Sequence, residues 1–81
     1  MPLRQFSADA KSRDRYLDTE LVEVLTNTNV VVCMSRCNER GEDCRSFSVN
    51  KDVCHLHGKK RGEVEHSKYV VKKGFTYYEE L

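Results

Sequence analysis

The sequence predicts an α+β fold: a single helix packed on a small antiparallel sheet, stapled by disulfide bonds. Three observations predict it. Val30, Cys33, Met34 and Cys37 recur at helical spacing. Strand-like alternation flanks an Asn50-Lys51-Asp52 turn. Four cysteines, Cys33, Cys37, Cys44 and Cys54, fall close together in a chain of 81 residues. A domain this small hides only about 60–65% of the surface its unfolded chain exposes, so cross-links are expected to support the core.

Composition narrows the class of function. Hydrophobic residues make up 38% of the chain and charged ones 33%, with 14 Lys+Arg against 13 Asp+Glu. The resulting net charge of +1 is too small to steer the molecule toward nucleic acid or a membrane surface. No nucleic-acid-binding motif is present. Disorder would require lower hydrophobicity with a stronger net charge. No apolar run approaches the roughly 20 residues of a membrane-spanning helix. The length fits one domain. Residues 1–81 are expected to form a single module with its core over about 16–80, and with 1–15 as a first strand or a flexible arm.

The elements follow in order. Phe6 is placed to begin a short strand in a polar segment. Tyr16-Leu17 and Leu21-Val22-Glu23-Val24-Leu25 read as strands, apolar and β-branched. Thr26-Asn27-Thr28-Asn29 forms a turn and supplies the helix N-cap. The helix is expected from Val30 to about Arg40, with Ser35, Arg36, Glu39 and Arg40 on its outer side. Three consecutive valines are poor helix formers, so burial must hold the first turn. Gly41 suits the position after the helix. Cys44 to Val49 and Val53 to His57 make the hairpin. Residues 58–68, charged and carrying Gly58 and Gly62, form a loop. Tyr69-Val70-Val71 and Phe75-Thr76-Tyr77-Tyr78 close the sheet as two strands separated by Gly74.

An even number of clustered cysteines in a small domain points to an oxidising compartment. Residues 1–6 offer no apolar leader, so the chain is expected to be a module of a longer secreted or surface protein. The alternative is a zinc-stabilised intracellular interaction domain using the cysteines or the pair His55 and His57. Against it, the ligands lack the close-set Cys-x2-Cys pairs of zinc knuckles.

Geometry selects among the three disulfide connectivities. A Cys33–Cys37 bond would join consecutive turns of one helix and constrain little. With a three-residue hairpin loop, Ser48 lies opposite Cys54, and Cys44, Ser46, Ser48, Cys54 and Leu56 share one face. A two-residue loop would put Cys44 and Cys54 on opposite faces. Cys44 begins the strand that returns along the helix, near Cys37. Cys54 lies about 13 Å further on, toward the turn of Cys33. The nested pairs Cys33–Cys54 and Cys37–Cys44 follow, worth roughly 3 and 2.5 kcal/mol of loop entropy, and less than the sum because they are nested. Small Ser46 and Ser48 would let the helix approach the sheet. Phe47, Val49 and Val53 would be covered from the other side by Tyr77-Tyr78 and Leu21–Leu25.

Three segments together resemble the PAN/apple family: Cys33-Met34-Ser35-Arg36-Cys37, Cys44-Arg45-Ser46-Phe47-Ser48-Val49-Asn50 and Cys54-His55-Leu56. Gly74-Phe75-Thr76-Tyr77-Tyr78-Glu79 is similar to the end of such modules, so the resemblance spans about residues 20–80. It implies a PAN/apple-like fold with two helix-to-hairpin disulfides in the same nested pairing. Apple domains proper carry a third disulfide joining their ends. This chain has no cysteines for it and resembles the shorter PAN type, with ends expected to fray. The resemblance further implies an extracellular module that binds a protein or carbohydrate, without catalytic residues or cofactor.

No catalytic constellation stands out, and no cofactor or metal is expected. His55 and His57 share a direction on one strand and read as a solvated or half-buried sheet face; with a third ligand they could bind a metal, or they could act as a pH-dependent contact. The carboxylate pairs Glu63/Glu65 and Glu79/Glu80 are expected to be exposed and pocketless. Lys59, Lys60 and Arg61 follow the hairpin, and Lys72 and Lys73 precede the last strand. If they converge, these five would hold the sulfates or carboxylates of a glycosaminoglycan by charge-assisted hydrogen bonds. The competing reading is a solvated loop balanced by Glu63 and Glu65. Arg45 is expected to be exposed or to anchor an ion pair. Tyr69, Phe75, Tyr77 and Tyr78 close a small core or meet a protein partner.

Overall fold

Asn29 sets where the helix begins. Its side chain accepts a hydrogen bond of 3.0 Å from the Val32 amide, satisfying one of the donors that a helix start leaves open. The helix, α1, spans Val30–Glu39 and buries Cys33 and Cys37 on one stripe. Gly41 follows at φ +61 and leads into a 3-10 turn, Gly41–Asp43. The computed structural model describes residues 5–8 and 10–81. Among them, no helix is long and apolar enough to cross a membrane.

The described residues place six strands in one antiparallel sheet: β1 (Phe6–Ser7), β2 (Arg13–Leu17), β3 (Leu21–Leu25), β4 (Ser46–Asn50), β5 (Val53–His57) and β6 (Tyr69–Glu80). The order is β1-β6-β4-β5-β3, and β2 also pairs with β6. Thr76 pairs with both Arg13 and Val49, so β2 and β4 lie on opposite edges of β6. Glu79 likewise pairs with Ser7 and Ser46, which puts β1 on the same edge as β2.

Segment 1–15 thus supplies a first strand and the start of a second; its residues 1–4 and 9 lie outside the described residues. From Gln5 onward the two ends of the module, expected to fray, are joined by backbone pairing. Phe6 lies opposite Glu80, and the Leu81 amide donates to the Gln5 carbonyl at 2.8 Å.

The last strand runs unbroken through Gly74. Between the pairs Arg15–Val71 and Arg13–Thr76, β6 carries several more residues than β2. The surplus is taken up in a bulge. Asp14, at φ 59, accepts the Gly74 amide at 2.9 Å. Gly74 itself sits at φ +93 and abuts the Asn50 side chain, where a Cβ would lie 3.2 Å from it. Only glycine meets both demands without strain.

The hairpin corrects the expected register. Asn50 pairs with Val53 and Val49 with Cys54, so the loop is Lys51-Asp52, with Lys51 at φ 56. A slip of one residue exchanges the faces of a strand. Phe47, Val49, Cys54 and Leu56 therefore look toward α1, while Ser46 and Ser48 look away. The expectation that a two-residue loop would separate Cys44 from Cys54 also fails. Cys44 precedes β4 at the end of the 3-10 turn, so that turn sets its direction rather than strand alternation. The disulfides are Cys33–Cys54 and Cys37–Cys44, with Cα separations of 6.3 and 5.2 Å.

The core on the helix side joins these cystines to Phe6, Phe47, Val49 and Leu56. Phe47 stacks on Tyr78 at 5.0 Å and meets Phe6 at 5.4 Å. The outer residues of α1 are tied down too. Arg36 and Arg40 each reach Glu23 of β3 at 2.9 Å. These hydrogen bonds hold the Glu23 carboxyl below its usual range.

Candidate recognition surface

The opposite face of β4 and β5 is polar where the helix side is apolar. It presents Ser46, Ser48, His55 and His57, and β2 with β6 closes over it. The Tyr16 hydroxyl is hydrogen-bonded to His55 Nδ1 at 2.7 Å, and Ser48 Oγ to His57 Nε2 at 2.8 Å. The Tyr16 ring stands edge-on to His55, His57 and Phe75 at 4.8 to 5.5 Å. His57 is fully buried, and burial, then the neighbouring His55, depresses its pKa from 6.5 to about 3. Burial and then Lys72 lower that of His55. Burial raises the phenols of Tyr16 and Tyr77.

Tyr77 carries this layer out to the surface. Its hydroxyl accepts from the Arg61 amide at 2.9 Å and donates to Glu79 Oε1 at 2.9 Å. The Arg61 guanidinium lies over the rings of Tyr69 and Tyr77 at 5.3 and 5.9 Å, and Arg15 lies over Tyr69 at 5.7 Å. The Tyr69 hydroxyl is within 3.3 Å of Arg61 and donates to the Lys11 carbonyl.

The loop of residues 58–68 divides two open clefts. The first, about 750 Å³, is lined by Lys11, Arg13, Arg15, Arg61, His66 and Tyr69, with Gly62. Among the described residues, no carboxylate lines it. The second, about 760 Å³, has an apolar floor of Leu21, Val22 and Val64. Its rim carries Asp18, Glu20, Glu63 and Glu65 with Lys59 and Lys68.

Of the five cations singled out in the sequence, Arg61 alone lines the basic cleft. Lys59 lines the acid-rimmed one. The Lys60 amide is capped by Glu63 at 2.9 Å. Lys72 sets its ammonium over the rings of Tyr16 and Phe75 at 4.4 and 5.3 Å. Lys73 is exposed on β6. Arg45 anchors ion pairs with Glu80 and with Glu63. Glu79, expected in the open, meets Arg61 at 3.4 Å.

The cleft residues that sequence reasoning missed are Lys11, Arg13 and Arg15. Arg13 and Arg15 alternate at strand spacing, which is a signal. Asp14 between them takes φ 59 and interrupts the pairing, a departure that the residue types do not announce.

All four thiols are taken by the two disulfides, so the zinc alternative has no thiolate ligand left. A comparison with curated proteins and with solved structures finds no match. The family model of the PAN domain matches residues 9–80. With the helix, the sheet and both disulfides in place, that match shows that the chain belongs to the PAN domain family.

Proposed function

We propose that this chain is an extracellular recognition module that binds an anionic glycan, of the glycosaminoglycan class, in its basic cleft. PAN domains are interaction modules for protein or carbohydrate rather than enzymes. Two disulfides suit an oxidising, extracellular setting.

The observation that carries the glycan reading is the cleft lining: among the described residues, four cationic side chains and a histidine surround one tyrosine, and Glu79, which meets Arg61, lies outside that lining. Guanidinium groups present paired donors that match sulfate and carboxylate oxygens. Stacking on Tyr69 holds Arg15 and Arg61 in place, which reduces the ordering cost on binding. Lys59, Lys60, Lys72 and Lys73 would extend the contact along a chain longer than the cleft.

The acid-rimmed cleft supports a second reading, a protein partner. The outer edge of β3 borders it, and Leu21 and Val24 of that strand are exposed.

Retention on immobilised heparin separates the two. Arg13→Glu with Arg15→Glu is expected to abolish salt-sensitive retention. Lys59→Glu with Lys60→Glu should lower it less. Unchanged elution of the arginine variant would discard the glycan reading and leave the acid-rimmed cleft as the candidate.

A further inference from the structure

His57 is a titratable group that the basic cleft does not use, yet its ring neighbours are Tyr16, next in sequence to the cleft residue Arg15, and Tyr77, which binds the Arg61 amide. Its side chain is sealed from solvent. Nε2 is held by Ser48, and Nδ1 is buried without a hydrogen-bond partner. The surrounding elements supply few charges. From β5 comes His55, and from β2 the Tyr16 phenol, with Asp18 just beyond it. From β6 come Tyr77, Lys72 and Glu79, the last engaged by Tyr77 and Arg61. From β4 comes the Ser48 hydroxyl, and β3 sets Val24 opposite His55.

We infer that this pocket is an acid-operated latch on the basic cleft: a proton on His57 detaches β2 from the layer and releases the bound polyanion. The inference rests on the reading of that cleft as a polyanion site.

A protonated His57 would be a buried cation with one hydroxyl partner, and its neighbour His55, which itself feels Lys72, gains the same sign. Such a group must reach water. The folded layer therefore favours the neutral imidazole, whose pKa lies near 3 against 6.5 outside it. The unfolded or opened form binds more protons in that window. The layer is at full strength above pH 6.5 and weakens as pH falls toward 3.

The element that yields is β2. Disulfides tie the β4–β5 hairpin region to α1. In the sheet β2 pairs with β6, its register breaks between Arg13 and Arg15, and it covers His57 through Tyr16. It also carries Arg13 and Arg15. Opening it removes two of the cleft's cations at once. A plain basic surface gains positive charge in acid and holds a polyanion at least as well. The latch reverses that sign.

The test uses the whole chain, a heparin octasaccharide and fixed ionic strength, from neutral pH to about pH 4. Calorimetry gives the affinity. Amide-exchange protection factors, each taken relative to the unprotected rate at the same pH, follow β2. Once acid makes the opened form the major one, one linked proton predicts about a tenfold loss of affinity per further pH unit. Arg15, Tyr16 and Leu17 should lose protection while Phe47 to Val49 keep theirs. His57→Gln, which cannot take up that proton, should blunt both responses, and His57→Gln with His55→Gln should hold both flat. Affinity that stays level or rises in acid overturns the latch, as does loss of protection in β2 and β4 together. If His57→Gln does not fold, exchange in the unaltered chain decides. If heparin does not bind at neutral pH, the glycan reading fails, and β2 exchange still decides whether the latch opens.

Discussion

The two sides of the β4–β5 hairpin are built on opposite principles. Toward α1 lie two cystines, Phe6, Phe47, Val49 and Leu56, with no titratable side chain in that cluster. Toward β2 and β6 lie two serines, two imidazoles and three buried aromatic rings, linked by hydrogen bonds and edge contacts. The first side is cross-linked, and its buried cluster holds no group that titrates. The second has no covalent tie, and its hydrogen bonds depend on the charge state of two histidines. Stability is concentrated where the disulfides are. Adjustability is concentrated where the basic cleft is anchored, since Tyr16 and Tyr77 belong to the polar layer and position Arg15 and Arg61.

The contrast can be broken from the helix side first. Phe47→Ala removes a fully buried ring that stacks on Tyr78 and touches Phe6. It should cost about 3–5 kcal/mol in denaturant unfolding. A cost below about 1 kcal/mol, the range of tolerated surface changes, would mean that this core is not the main store of stability.

Next come the staples. Removing Cys33–Cys54 by double serine substitution frees the larger loop and should cost roughly 3 kcal/mol, against roughly 2.5 for Cys37–Cys44. The sequence separations of 21 and 7 set that order. Equal midpoints for the two variants would count against the loop-entropy account.

The smallest change sharpens the comparison on the polar side. Tyr16→Phe keeps the ring and deletes the hydroxyl bonded to His55. It should cost about 1 kcal/mol, and the added exchange should be confined to β2. Uniform loss of protection across the sheet would show that the polar layer is part of one cooperative core.

Much of the fold is legible in the residues. The stripe of Val30, Cys33, Met34 and Cys37 has a helical period, and Asn29 is a capping residue in front of it. The apolar run Leu21–Leu25 is a strand on either face reading. The hairpin register differs from the expected three-residue loop: Asn50 pairs with Val53 across a two-residue loop, the commonest hairpin connection. The nested disulfide pairing is nonetheless the one the structure contains, because it depends mainly on which end of α1 each cysteine approaches.

The basic cleft was legible only in part. Lys59-Lys60-Arg61 is a visible run, but Arg61 turns into the cleft because Tyr77 accepts its amide, while Lys59 turns toward the acid-rimmed side. Lys11, Arg13 and Arg15 join Arg61 from some fifty residues away through the pairing of β2 with β6. The arginines of the helix, also visible in sequence, are spent on Glu23.

By itself the sequence determined what is local or periodic: the helix, most of the strands, the clustering of four cysteines, and the family resemblance. These rest on side-chain spacing and backbone preference, which neighbouring residues fix. Tertiary structure alone decided which face of the hairpin meets α1, how far β6 runs, and which cations share a cleft. Each of those is set by a one-residue register, a bulge at Asp14 and Gly74, or a pairing between distant strands. Such contacts are chosen by the free energy of the whole packed molecule, which no short window of the chain contains.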